Sequence, residues 1–468
     1  MAREQFKSRL GFILISAGCA VGLGNVWRFP YIVGEYGGAA FIILYLIFLA
    51  ILGLPILVME FSIGRASKRS IARAFDELEP PRSHWHVFKW LGIAGLYLLM
   101  MFYTTVAGWM LAYIPKMATT NLASIGSEGE TAAAGALSGL FESLLSNPSE
   151  LIAWMVVACA IALLVCSLGL QKGVERITKV MMVCLLALIL VLAIRACTLE
   201  GAVDGIAFYL LPDFSKIFSS WGAFGDAVFA ALGQAFFTLS IGIGSMEIFG
   251  SYINKDYSLM GEAVRIAGLD TFVALATGMI IFPACFAFGV SPDSGPGLVF
   301  ITLPAVFEQM WMGQLWATLF FIFMGFAAIS TVIAVFEGIL SFWMDQWNFS
   351  RKKAVAINIV LIPLLSVPCA LGFNVWSGFE LPGIGNIQAI EDFLVSNNIL
   401  VIGSLIFVLF CVSKRGWGWE NFLKEANTGK GLKFPRALYY WMKIGVPVLI
   451  IVILVSGWMP LVTTWIGG

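Results

Sequence analysis

The sequence predicts an all-α polytopic membrane protein with eleven transmembrane helices. Three observations predict it: a composition 60% hydrophobic and only 12% charged, a series of long apolar runs, and a one-sided distribution of Lys and Arg. A soluble domain carries roughly 25% charged residues, so this 468-residue chain has too few to cover a soluble surface. Its mean hydropathy of +0.91 agrees. The formal net charge is zero and no basic stripe stands clear of the loops. This argues against nucleic acid as a partner and leaves the lipid bilayer.

A helix needs about 20 apolar residues to cross a bilayer core. Runs of that order cover 11–34, 39–64, 88–116, 151–169, 177–197, 225–251, 260–289, 313–343, 354–372, 386–412 and 438–464. If the N-terminus is cytoplasmic, 24 of the 28 Lys and Arg residues fall in inner segments. Only Arg28, Lys116, Arg195 and Lys216 do not. Segment 118–150 has no Lys or Arg and carries Glu128, Glu130, Glu142 and Glu150. Positively charged loops stay inside, so the expected topology is N-terminus in and, with an odd count, C-terminus out, in the plasma (cytoplasmic) membrane. Segments 118–150 and 201–224 read as extracellular loops. Segment 291–310, with Pro292, Pro296 and Pro304, reads as a hairpin dipping back into the outer face. The polar, basic start of the chain carries no evident cleavable signal. The eight cysteines form no C-x-x-C pair and lie mostly in apolar runs, as small buried hydrophobes do.

Two spans are interrupted. The first contains Gly22-Leu23-Gly24-Asn25 and the sixth Ser240-Ile241-Gly242-Ile243-Gly244. Glycine costs about 1 kcal/mol relative to alanine inside a helix. Freed backbone groups at membrane depth need partners within the protein. Breaks in spans one and six imply two five-helix halves of opposite orientation, 11–200 and 225–412, the arrangement of secondary transporters. Residues 1–10 then form a cytoplasmic N-terminus, and 413–468 an inner loop followed by the eleventh helix.

The stretches Arg9-Leu10-Gly11-Phe12, Ala20-Val21-Gly22-Leu23-Gly24-Asn25-Val26-Trp27-Arg28-Phe29-Pro30 and Gly233-Gln234-Ala235-Phe236-Phe237-Thr238-Leu239-Ser240, with Gly64-Arg65 after Glu60, closely resemble the neurotransmitter:sodium symporter family, bacterial amino-acid transporter branch. The resemblance runs from about residue 3 to the C-terminus and lacks the twelfth helix of many members. It implies a leucine-transporter-like 5+5 inverted repeat and sodium-coupled import of amino acids by alternating access.

The resemblance implies two sodium sites. One takes the Ala20 carbonyl, Asn25, Thr238, Asp270 and a carboxylate oxygen of the substrate, so ion and substrate complete each other's site. The other takes carbonyls of Gly18, Val21 and Ala327 and the hydroxyls of Ser330 and Thr331, in an order reversed from the usual Thr-Ser. Oxygen donors without extra charge suit a small hard cation. Amine transporters carry an acid where Gly22 stands, so this substrate is expected to bring its own carboxylate to the positive ends of the broken helices. Ala20, Gly22, Leu23, Gly24, Phe237, Thr238, Ser240 and Thr331 would surround its backbone. Leu99, Tyr103, Phe237, Ser240, Ile243 and Val335 would line its side-chain pocket, with Tyr103 over the carboxylate and Phe237 as lid. Such an apolar pocket favours neutral, hydrophobic L-amino acids.

The resemblance also implies gates: Arg28 with Asp392 on the outer side, and Arg3 with Asp345, supported by Phe6 and Tyr252, on the inner side. Phe6 replaces the more usual tryptophan. Glu60 resembles the acid that hydrogen-bonds the broken helices. Glu337 stands near the inner pathway where some relatives have glutamine, and the fifth helix lacks a proline seen in some of them. Tyr45, Gln234 and Thr238 remain of an anion constellation, but Ala274 replaces its Ser or Glu. Asp270 is expected to supply the missing negative charge, making transport chloride-independent, and to carry a proton on the empty return step.

Other classes fit poorly. The only histidines, His84 and His86, do not make a metal site by themselves, and no nucleophile–base pair points to an enzyme. A channel lacks a filter motif. The remaining rival is a non-transporting amino-acid sensor on the same fold. The sequence does not set the oligomeric state.

Overall fold

The computed structural model describes residues 4–122, 130–289 and 297–466. Apolar helices of membrane-crossing length lie at Ala39–Ser67, Trp85–Thr119, Pro148–Ser167, Leu170–Cys197, Leu259–Ala287, Gly313–Trp347, Arg351–Leu371, Ile387–Val412 and Arg436–Trp465. Before them, Arg9–Ala20 and Gly24–Glu35 form one span bent by 55°. Trp221–Thr238 and Ser245–Tyr252, separated by a non-helical turn, form the sixth span. In chain order these are the eleven expected spans.

Local chemistry sets the helix starts. Ser8 accepts the Gly11 N–H at 3.0 Å and opens the first span. Asn147 caps the fourth span, which has Pro148 in its first turn, where a missing N–H costs nothing. Ser220, Ser350 and Asn386 cap the sixth, ninth and tenth spans in the same way. Each side-chain oxygen satisfies one of the N–H groups that a helix start leaves without a partner.

Burial separates the centre of the bundle from its rim. The eighth span, Gly313–Trp347, is 83% buried over its most apolar stretch, whereas the fifth and eleventh are 28% and 29% buried. Val180, Val183 and Ile194 on the fifth, and Val448 and Ile451 on the eleventh, are exposed. Apolar residues on an outer surface are what a hydrocarbon solvent selects. The second span meets the second half of the sixth at backbone contact: a Cβ on Gly250 would lie 2.5 Å from the Phe61 carbonyl oxygen.

Two expected loops contain helices. Glu130–Ser146 lies within 118–150. It is rich in Ala and Leu, strong helix formers, and buries Leu137, Phe141 and Leu144 along one face. The Phe141 ring stacks on Phe300 with centroids 4.6 Å apart. Ala202–Leu210 lies within 201–224, and its Tyr209 hydroxyl donates to the Leu275 carbonyl at 3.1 Å. In the expected hairpin, Leu298–Glu308 is a short apolar helix with Pro304 in the first turn of its second part. Pro292 and Pro296 lie outside the described residues. Cys184 is exposed and Cys197 half-buried; the other six cysteines are buried, and all eight are free.

Candidate functional site

The two breaks face each other in the middle of the bundle. The first helix stops at Ala20, and a wide π turn resumes at Gly24. In the sixth span Ser240, Gly242 and Gly244 take φ values of +50°, +99° and +77°. Glycine adopts this left-handed region at little cost. Glu60 accepts the Gly242 N–H through Oε1, so a buried carboxylate from the second span holds the sixth-span break open.

Gly22 and Gly24 are required by close approach. A Cβ on Gly22 would collide with the Tyr103 hydroxyl and lie 2.6 Å from Thr331 Oγ1. One on Gly24 would lie 2.8 Å from the Phe237 ring. The Leu23 N–H donates to the Tyr103 hydroxyl at 3.0 Å. Between the breaks is a central cavity of about 20 Å³. That volume holds about one water-sized probe, so an amino acid enters only if the walls move. Ala20, Gly22, Gly24, Leu99, Tyr103, Phe237, Ser240 and Thr331 line it. Leu23, which lines the outer vestibule instead, and Thr238 do not, and neither do Ile243 and Val335. Both are fully buried, and Ile243 instead packs onto Gly95, where a Cβ would meet its Cγ2 at 2.8 Å. Cys19 and Leu400 take their places in the wall. Neither carried a sequence signal: Cys19 lies in an apolar run, and Leu400 is one of many leucines in the tenth span.

Asn25, Thr238 and Asp270 come together from three distant spans. Asn25 Nδ2 donates to Asp270 Oδ1 at 2.8 Å and to the Asp270 carbonyl at 3.0 Å. Thr238 Oγ1 donates to Asp270 Oδ2 at 2.8 Å. The Gly22 N–H donates to Asn25 Oδ1 at 3.2 Å. All three side chains are fully buried. Among the described residues no Lys or Arg lies within 4.0 Å of the Asp270 carboxylate. A buried carboxylate without a basic partner requires a cation or a proton. The Asp270 carboxylate and the Thr238 hydroxyl are hard oxygens of the kind sodium takes, while Asn25 turns Nδ2 to Asp270 and Oδ1 to the Gly22 N–H.

A second cluster surrounds Thr331. Its Oγ1 lies 3.2 Å from the Val21 carbonyl oxygen, 3.3 Å from that of Gly18, and 3.4 Å from those of Cys19 and Ala327. One hydroxyl proton serves one of these four oxygens; Ser240 Oγ also reaches the Cys19 carbonyl at 3.4 Å, and the Gly18 and Val21 carbonyls converge beside Thr331, a geometry that also suits a small cation. Ser330 Oγ donates to the Ala327 carbonyl at 2.9 Å. The reversed Ser-Thr order therefore still brings Gly18, Val21, Ala327 and Thr331 together.

The two sides of the site differ. On the face that carries the C-terminus, Arg28 and Asp392 line a vestibule of about 350 Å³ above Tyr103 and Phe237. The expected ion pair between them is not formed. The Arg28 guanidinium stacks over the Phe237 ring at 4.7 Å, and Asp392 accepts from Ser396 Oγ at 2.6 Å. On the N-terminal face the path is packed shut. Phe6 meets Tyr252 edge to face at 5.6 Å, and the Phe6 N–H donates to the Tyr252 carbonyl. Asp345 accepts the Ser70 N–H and hydroxyl, each at 2.7 Å, with Arg69 at 4.0 Å. Arg3 lies outside the described residues. Arg351 was counted above as a loop charge, yet it reaches inward and binds Glu337 bidentately at 2.6 and 2.9 Å. Tyr252 donates to the same carboxylate at 2.7 Å. The fifth span, without the proline, begins with a π turn at Leu170–Glu175.

Of the expected anion constellation, Tyr45 is buried and its hydroxyl lacks a partner, as does Gln234 Oε1; Gln234 Nε2 donates to the Gly24 carbonyl at 3.1 Å. Ala274 is buried. Of the two histidines, His86 gains a carboxylate neighbour: its Nδ1 lies 2.6 Å from Glu79 Oε1, and Asp76 nearby pairs with Lys89 at 3.2 Å.

A membrane bundle whose first and sixth helices break opposite each other, around a cavity closed on one side, defines a secondary transporter. The sequence pattern of the sodium:neurotransmitter symporter family matches residues 3–130 and 137–464. The sodium-dependent transporter YhdH of Bacillus subtilis is 36% identical over 97% of both chains. A sodium-dependent transporter of Haemophilus influenzae is 33% identical over 97% of this chain and 98% of its own. The crystal structure of MhsT in complex with L-phenylalanine superposes with a TM-score of 0.86 at 38% identity, covering 97% of this chain and 100% of that one. The chain belongs to the sodium:neurotransmitter symporter family. It is a sodium-dependent membrane transporter, not an enzyme, and has the leucine-transporter fold.

Proposed function

We propose that this transporter imports neutral, hydrophobic L-amino acids together with sodium, without chloride, across the plasma membrane, with its N-terminus cytoplasmic and its C-terminus outside. The crowding at Gly22 carries this reading. No side chain fits there beside Tyr103 and Thr331, so no protein carboxylate can pair with a substrate amine at that point. The substrate brings the carboxylate, and the Tyr103 hydroxyl and the helix ends receive it. Leu99, Phe237 and Leu400 give the remaining wall an apolar character. The phenylalanine bound by MhsT at 38% identity is consistent with a bulky side chain.

Sodium is a co-substrate here. Asn25, Thr238 and Asp270 would hold one ion beside the substrate carboxylate. The carbonyls around Thr331, with Ser330, would hold the second. Shared ligation couples ion to substrate. Asp270 balances charge in the loaded state and takes a proton for the return. Arg28 and Asp392 close over the loaded site. Phe6, Tyr252, Asp345 and, by its motif position, Arg3 close the cytoplasmic side. Each moved charge is worth about 2.3 kcal/mol per 100 mV, so membrane potential drives uptake.

Uptake of a panel of radiolabelled amino acids into proteoliposomes with an inward sodium gradient tests the reading. Accumulation of hydrophobic amino acids supports it. Uptake of amines lacking a carboxylate contradicts the Gly22 argument. Sodium-dependent binding with no accumulation assigns the chain to a sensor instead.

A further inference from the structure

The N-terminal face carries a second cavity, of about 460 Å³, far from the substrate path. It lies between the end of the tenth span at Val412 and the start of the eleventh at Arg436. Its floor is the first turn of an eight-residue helix, Trp419–Ala426, which has no side-chain cap. The helix is amphipathic: Trp419, Phe422, Leu423 and Ala426 are buried, while Asn421 and Lys424 are exposed.

Four features of this cavity point to one kind of ligand. Uncapped N–H groups at a helix start attract anions, and Gly418, Trp419, Glu420 and Asn421 all line the cavity. Two cations, Lys414 and Arg436, stand in the same wall. Lys414 forms no ion pair among the described residues, whereas Arg436 pairs with Glu420 at the rim, both highly exposed. Trp419 is only 8% exposed, and its indole N–H lacks an acceptor. A buried donor left unpaired costs about 1–3 kcal/mol. Finally, Val412 and Tyr439 give the cavity an apolar side, and Tyr440 and Ile444, just beyond Tyr439 in the chain, are exposed at the start of the eleventh span.

Segment 413–443 also carries seven Lys and Arg against two Glu. One of those, Glu425, is already held by Arg65 at 2.7 Å and Lys255 at 2.8 Å. The local field is therefore positive. Basic pockets between helices at the cytoplasmic surface receive anionic headgroups.

We propose that this cavity binds the phosphate of an anionic phospholipid of the adjoining leaflet. Lys414 and Arg436 supply charge, the helix start and the Trp419 N–H supply hydrogen bonds, and Val412 and Tyr439 contact the glycerol and upper acyl chain. Through Glu425, on the same short helix, the bound lipid would steady the end of the second span at Arg65. The inference does not depend on the transported substrate.

The test is native mass spectrometry of the full chain released from micelles containing equal phosphatidylglycerol and phosphatidylcholine. Wild type should retain phosphatidylglycerol in preference. The double variant Lys414→Gln/Arg436→Gln should bind it about tenfold more weakly, with unchanged elution as a folded monodisperse species. Glu420→Gln, which frees Arg436, should bind it more tightly; if the double variant does not fold, this variant decides. Equal retention by wild type and both variants overturns the site. Displacement of the lipid by millimolar inorganic phosphate would make it a free-anion site and overturn the lipid assignment.

Discussion

Arg351 grips Glu337 through two parallel hydrogen bonds of 2.6 and 2.9 Å, and the carboxylate is fully buried. Such bidentate pairs are strong and geometrically specific. Arg351 also donates to the Cys166 carbonyl at 3.1 Å, and Tyr252 and Ser341 complete the cluster. The eighth span, the sixth span and the end of the fourth are thereby tied together on the N-terminal face. Removing one partner leaves a buried charge, which costs about 3–5 kcal/mol. Arg351→Gln should therefore lower the thermal midpoint sharply, and adding Glu337→Gln should recover much of the loss. Additive losses in the double variant would show that the two residues act independently.

Gly22 tolerates no side chain. Gly22→Ala forces its Cβ against Tyr103 and Thr331 and should reduce amino-acid uptake at least tenfold with normal membrane expression. Gly22→Asp adds repulsion of the substrate carboxylate and should abolish it. Uptake by Gly22→Ala at the wild-type rate would mean that Tyr103 and Thr331 do not confine the substrate there.

Thr331→Val keeps the shape of the side chain and removes the hydroxyl that sits among four carbonyl oxygens. The sodium concentration for half-maximal substrate binding should rise about tenfold, the equivalent of 1.4 kcal/mol. Ser330→Ala should do less, because Ser330 is turned towards Ala327. A larger effect from Ser330→Ala would place the second ion elsewhere.

The proposed outer gate gives Arg28 and Asp392 a role after substrate arrives. Asp392→Ala should leave equilibrium binding within about threefold while reducing the uptake rate about tenfold, since each 1.4 kcal/mol in a barrier is tenfold in rate. Unchanged uptake would remove the pair from the gating cycle.

Much of the architecture was legible because bilayer crossing leaves a coarse signal. Apolar length, glycine pairs and basic loops place the spans and both breaks. The helices Glu130–Ser146 and Ala202–Leu210 were not legible, since each is shorter than a span and lacks the apolar length that marks one. The convergence of Asn25, Thr238 and Asp270 is a long-range contact that no local pattern contains; only the family resemblance supplied it. Arg351 was hidden for a related reason. A charge beside a helix start looks solvated in a sequence, yet here it turns inward to a buried acid. Ile243 was misplaced because Gly95 opens space for it away from the cavity.

In the proposed cycle Asp270 supplies the negative charge that makes sodium coupling independent of chloride. Sodium-driven accumulation of radiolabelled phenylalanine in proteoliposomes, measured with and without chloride for wild type and Asp270→Asn, tests it most directly. Wild-type accumulation should be equal in both media, and Asp270→Asn should lose at least nine-tenths of it in chloride-free medium. Wild-type uptake that requires chloride, or chloride-free accumulation that survives Asp270→Asn, would contradict it.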